Sequence, residues 1–140
     1  MSPEQWDGIR HFYVTELQRP LDMDNEFMVF LDGVRQQYGE PLVVTSDART
    51  VAEEETLPGH AIPPHSSLHV ADPANGLWGR AVDLRWIADG TSRWKFLQAV
   101  YNVANGRGVE LEFVPFGDNA HIHVGLFRTA RPSVFIFSEV

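Results

Sequence analysis

An α+β fold follows from three features of this 140-residue chain. Its first forty or so residues carry apolar side chains at helical spacing, and its later segments alternate apolar and polar residues with period two. No repeat, low-complexity tract or linker divides it, so residues 1–140 read as a single domain. Helices first and an antiparallel-looking sheet afterwards predict N-terminal helices packed on a small, mainly antiparallel sheet.

The elements follow in order. Ser2, Pro3 and Gln5 supply an N-cap, a first-turn proline and a capping-box partner. Trp6, Ile9, Tyr13 and Leu17 continue at helical spacing to Pro20, which predicts a first helix with His11 on its solvent side. A second helix begins near Asp24, with Phe27, Leu31, Val34 and Tyr38 on one stripe, and Gly39 and Pro41 stop it. Leu42-Val43-Val44-Thr45 reads as a short buried strand ending at Ser46-Asp47-Ala48-Arg49. From about Thr50 to Gly79 the periodicity dissolves among Pro58, Pro63, Pro64, Pro73, Gly59, Gly76 and Gly79. A loop of that length in a compact domain is usually functional or mobile, and His60 and His65 within it read as exposed and unliganded.

Beyond the loop, Arg80-Ala81-Val82-Asp83-Leu84-Arg85-Trp86 alternates as a strand. Thr91-Ser92 reads as the cap of a helix with Trp94, Leu97, Tyr101 and Ala104 on one stripe, ended by Asn105-Gly106. Val109-Glu110-Leu111-Glu112-Phe113 is a strand with one wet face. The strand around His121 comes next, and Val134-Phe135-Ile136-Phe137 makes the last.

Composition narrows the function. With 11 basic and 19 acidic side chains the formal net charge is -8, the wrong sign for tracking phosphates, so nucleic acid is excluded as the expected partner. There is no cysteine, so any metal must rest on His, Asp and Glu. No apolar run is long enough to span a membrane. The first residues lack a basic and then apolar signal pattern, so synthesis in the cytoplasm without a cleaved signal peptide is expected.

The chemistry gathers around His121-Ile122-His123. Alternation puts both imidazoles on one strand face while Ile122, Val124 and Leu126 face a core. Asp83 lies opposite Val82, Leu84 and Trp86 on its own strand. Two imidazoles and a carboxylate on sheet faces match a catalytic zinc, with three protein ligands and a position open to water. His65 and His69 are four apart, but Pro63-Pro64 precedes them and no Glu lies between, so a helical H-E-x-x-H site is excluded.

Taken in order, Ser67-Leu68-His69, Gly79-Arg80-Ala81-Val82-Asp83 and His121-Ile122-His123 resemble the S-x-H, G-x-A-x-D and later H-x-H of the zinc D-Ala-D-Ala carboxypeptidase family. The wider group of that family includes lysostaphin-type endopeptidases and the hedgehog signalling domain. Val44-Thr45-Ser46-Asp47-Ala48-Arg49-Thr50 is similar to the family's strand ending in a Ser and an Arg, and the resemblance covers residues 25 to 127. It implies the hedgehog and D-Ala-D-Ala peptidase type of fold, with Zn²⁺ held by His69, Asp83 and His123. It also implies His121 as general base or transition-state stabiliser and Arg49 as a binder of a substrate carboxylate or oxyanion. Read from the residue alone, Arg49 is equally a surface salt bridge.

Two departures stand out. The family keeps a shorter stretch between its first His and its Asp, whereas thirteen residues separate His69 from Asp83. Looping out residues 71 to 77 accounts for the excess. Pairing His65 with Asp72 restores the shorter spacing but forfeits S-x-H and G-x-A-x-D. The D-dipeptidase branch also places a Glu three residues before its last His, where this chain has Ala120, leaving His121, with Asp118 as a second candidate base. The implied function is a zinc peptidase hydrolysing an amide in peptidoglycan stem peptides, as carboxypeptidase or endopeptidase, reaching the wall by lysis or injection as phage-type proteins do. Its rival is a non-catalytic zinc-binding structural or binding module, such as a virion or assembly component.

Overall fold

A computed structural model describes residues 1–137 and shows a mixed α+β architecture of four α-helices and one five-stranded sheet. The helices are α1 (Pro3–Trp6), α2 (Asn25–Tyr38), α3 (Val51–Glu55) and α4 (Gly90–Ala104), and the strands are β1 (Val44–Ser46), β2 (Ala81–Arg85), β3 (Val109–Val114), β4 (His121–Leu126) and β5 (Val134–Phe137). The sheet order is β1-β2-β4-β3-β5, antiparallel throughout except for the parallel β3–β5 pair. Alternation sorts its two faces. Val82, Leu84, Ile122, Val124, Leu126, Val109 and Leu111 are buried, and α2 and α4 complete that core with Phe27, Phe30, Leu31, Val34, Phe96 and Val100. The opposite face carries Asp83, His121, His123, Glu110 and Glu112.

The second helix forms as its sequence predicts. The Asp24 carboxylate accepts the Phe27 amide proton at 2.9 Å, and Gly39 closes the last turn in the left-handed conformation at φ 75°, where a side chain would be strained. The strand predicted at 42–45 begins two residues later, after buried Leu42, with a bulge between Val44 and Ser46.

Three expectations are corrected. The first helix ends at Trp6 rather than running to Pro20. Residues 7–22 instead form turns and two short 3-10 helices, Val14–Glu16 and Pro20–Asp22, and four of their amides go to carboxylates distant in sequence. Asp32 on α2 accepts the Arg10 and His11 amides at 3.2 and 2.7 Å, and buried Asp47 accepts those of Gln18 and Arg19 at 3.0 and 2.8 Å. His11 is exposed, but on such a turn. In α4 the cap is Asp89, whose carboxylate accepts the Ser92 amide at 2.8 Å, not Thr91-Ser92. Its buried stripe is Phe96, Ala99, Val100 and Ala104, so the face is rotated from the predicted one. Trp94 and Tyr101 are instead exposed beside Phe135 and Phe137 of β5, in an open apolar groove.

The segment 50–79 is more ordered than its composition suggests. Thr50 and Glu53 make a capping box that starts α3, and the Arg49 amide and carbonyl pair with His69 O and Ala71 N at 2.8 Å each. Residues 72–77 form a closed excursion. Asp72 N–H donates to Leu77 O at 2.8 Å, Leu77 N–H returns to Asp72 O at 3.1 Å, and Gly76 supplies the left-handed turn. Arg128, just past β4, clamps both flanks by donating to Val70 O at 2.9 Å and Trp78 O at 3.2 Å. His69 is thereby carried over the open face of the sheet.

Candidate metal centre

Asp83 and His123 are directly opposed across the antiparallel β2–β4 pair, so their side chains leave the same face side by side. His69 arrives from above, on the segment paired with Arg49. The approach depends on Gly125, which shares the face of His123. A Cβ there would stand 2.9 Å from Arg80 O and 2.9 Å from Leu68 Cδ1, so only glycine lets the segment bearing His69 lie against the strand.

Three donor atoms converge. His69 Nε2 lies 3.1 Å from His123 Nδ1 and 3.2 Å from Asp83 Oδ1, and His123 Nδ1 lies 3.2 Å from the same oxygen. The partners of the outer ring nitrogens assign the tautomers. His69 Nδ1 lies 2.9 Å from the Asp47 carbonyl, so it carries the proton and Nε2 presents a lone pair. His123 Nε2 lies 2.6 Å from Glu110 Oε1, so it too carries the proton and Nδ1 presents a lone pair. Asp83 can only accept. Three lone pairs facing one another repel unless a cation sits among them. Donors about 2.0–2.1 Å from a tetrahedral zinc stand about 3.3 Å apart, close to the observed triangle. His69, Asp83 and His123 could therefore hold a metal ion.

The electrostatics show the same demand for positive charge. Burial opposes ionisation of Asp83, but with a proton in the place a cation would take, hydrogen bonds from His123 and His69 outweigh it and hold the carboxyl well below the usual carboxylate range. Burial likewise disfavours charge on His123, yet Asp83 and Glu110 on either side push it up to about 9. The hydrogen bond from His123 lowers Glu110, against its partial burial. When no metal is bound, a proton shared with His123 supplies the charge.

The centre opens into a cleft of about 380 Å³ whose walls include Arg49, Glu54, Ser67, Glu110, Glu112 and His121. His121 Nδ1 lies 2.6 Å from the Asn119 carbonyl, which puts its proton there and leaves Nε2 as the basic nitrogen. Arg49 is an ion pair, but not a surface one. Its Nε sits 3.2 Å from Glu54 Oε1, off the line of a hydrogen bond, and the Glu54 side chain is only 5 % exposed. Asp118 does not reach the cleft; it is exposed in the turn at Gly117 that joins β3 to β4. Nor does Asp72 replace Asp83. It pairs with His65 at 3.0 Å on the excursion, outside the cleft.

Sequence reasoning missed Glu110, Glu54 and the carbonyl of Asp47. Glu110 was visible as a charge on the wet face of β3, but only the register, which places it against Gly125 diagonal to His123, gives it a partner. The groove between α4 and β5 is larger, about 620 Å³, but its polar groups are the Gln98 and Asn102 amides, the Trp94 indole and the Tyr101 phenol, with no carboxylate or imidazole among them. No protein-family model matches the chain, and no characterised protein or solved structure matches it either.

Proposed function

We propose that the protein is a zinc-dependent peptidase that hydrolyses an amide bond in peptidoglycan stem peptides, on a fold of the hedgehog and D-Ala-D-Ala peptidase type. The observation that carries this reading is the convergence of three lone pairs from His69, Asp83 and His123, with each outer ring nitrogen anchored to an acceptor. Those residues stand in the order of the S-x-H, G-x-A-x-D and H-x-H motifs. Delivery to the wall by lysis or injection belongs to the same proposal.

A zinc ion, when bound, supplies the electrophile that polarises a scissile carbonyl and acidifies water. The chain's own groups do the rest. His121 Nε2 accepts the proton of the attacking water and returns it to the leaving amine as the C–N bond breaks. Arg49, held in the cleft wall by Glu54, orients a carboxylate or the developing oxyanion through its guanidinium. Neutral His69 and His123 with ionised Asp83 are a donor set suited to Zn²⁺.

One observation favours the non-catalytic alternative: Ala120 stands where the D-dipeptidase branch has its Glu. Two measurements decide. Metal analysis of untagged protein should give one zinc per chain, and incubation with cell-wall fragments should release new amines or D-alanine. Asp83→Ala and His123→Ala should abolish both. Zinc without hydrolysis would leave the binding module, and hydrolysis surviving the loss of metal would refute the reading.

A further inference from the structure

We infer that Glu110 is a positioning residue that dictates which nitrogen of His123 faces the metal centre. The inference rests on the metal-centre reading above. An imidazole can ligate through either nitrogen, and the choice is set by the bond the other nitrogen makes. In β3 Glu110 is paired in register with Gly125 and Glu112 with His123, so Glu110 is a diagonal neighbour of the ring. No side chain at 125 stands between them. The carboxylate therefore reaches His123 Nε2 at 2.6 Å, a short charge-assisted hydrogen bond. With its proton held there, His123 can present only Nδ1, the atom that lies 3.1 Å from His69 Nε2 and 3.2 Å from Asp83 Oδ1.

His69 receives the matching constraint from a backbone carbonyl, that of Asp47, which no side-chain substitution removes directly. Glu110 thus lets the ring nitrogen that His123 presents be altered by changing a residue that is not itself a ligand. The carboxylate also places negative charge behind the ring and makes Nδ1 a better donor to a cation. Its engagement with His123 sets it apart from His121, to which the proton transfer is assigned.

The test compares wild type, Glu110→Gln and Glu110→Ala. Zinc affinity is measured by competition with a chromophoric chelator, imidazole nitrogens are assigned by NMR in the zinc-loaded proteins, and thermal unfolding verifies that each variant folds. Glu110→Ala should bind zinc about 10- to 100-fold more weakly, with the His123 ring no longer restricted to a proton on Nε2. Glu110→Gln, whose amide oxygen still accepts that proton without the charge, should fall between. Equal affinity in all three, with the His123 proton on Nε2 throughout, overturns the inference. If Glu110→Ala fails to fold, Glu110→Gln alone decides, and wild-type affinity there overturns it. The predicted affinity order with no peptide hydrolysis would sink the peptidase reading and leave the role of Glu110 intact. Equal affinities with hydrolysis would do the reverse, and a wild type that takes up no metal overturns both.

Discussion

Gly125→Ala isolates the dependence of the metal centre on backbone contact. The added methyl would meet Arg80 O and Leu68 Cδ1 at 2.9 Å each and Ala81 Cβ at 3.1 Å. Arg80 O cannot retreat freely because it accepts the Leu126 amide at 3.0 Å, and Ala81 is the cross-strand partner of Gly125. Leu68 must therefore yield, and it precedes His69. Overpacking of this kind costs about 1–3 kcal/mol. With an unfolding entropy of about 2 cal/mol/K per residue, that lowers Tm by about 3–10 °C. Differential scanning calorimetry with chelator and with zinc should show a loss in both, and a chelator competition should show weaker zinc binding, because His69 has been lifted from the triangle. A Tm within a degree of wild type and an unchanged zinc affinity would refute the claim that glycine is required here.

The other predictions concern charge and protons. Because His123 is raised to about 9, an ion must displace its proton below that pH. Zinc affinity should then rise about tenfold per unit from pH 7 and level off near pH 9, and a flat profile in buffered chelator competitions would contradict the assignment. Asp47→Ala removes the acceptor of the Gln18 and Arg19 amides, which should cost about 2 kcal/mol in urea unfolding; no loss would mean that water replaces the carboxylate fully. His121→Ala should keep stoichiometric zinc while kcat falls about 10²- to 10⁴-fold, and undiminished turnover would remove His121 from the proton transfer.

What could be read from the sequence was what local periodicity determines. Alternation alone placed Asp83 and His123 on wet strand faces and Ile122 and Val124 in the core, and both strands formed there. The stripe of α2 was equally plain. The first helix failed because its periodicity was real but its amides had better partners elsewhere: nothing near Arg10 or Gln18 announces that Asp32 and Asp47 will accept them. In α4, Trp94 and Tyr101 look like core residues, yet the helix buries Phe96, Ala99 and Val100 instead and leaves those two exposed. Thr50 and Glu53, by contrast, did carry a readable capping signal, hidden by the prolines and glycines that follow. Of the candidate site, Asp83 and His123 could be placed on wet strand faces from pattern, whereas Glu110, Glu54 and the Asp47 carbonyl meet the site across strand register and loop pairing that no local spacing encodes.

The closed excursion between Asp72 and Leu77 makes the distance along the chain between His69 and Asp83 a free variable. Its ends are tied by their own pair of hydrogen bonds and by Arg128 on the flanks, so residues inserted at its tip do not pull on either candidate donor. The cost of lengthening such a loop is entropic and grows only logarithmically, about 0.6 kcal/mol for each doubling. Position 73–76 is therefore a socket: a peptide tag or a reporter segment can be spliced there while the donor triangle keeps its dimensions.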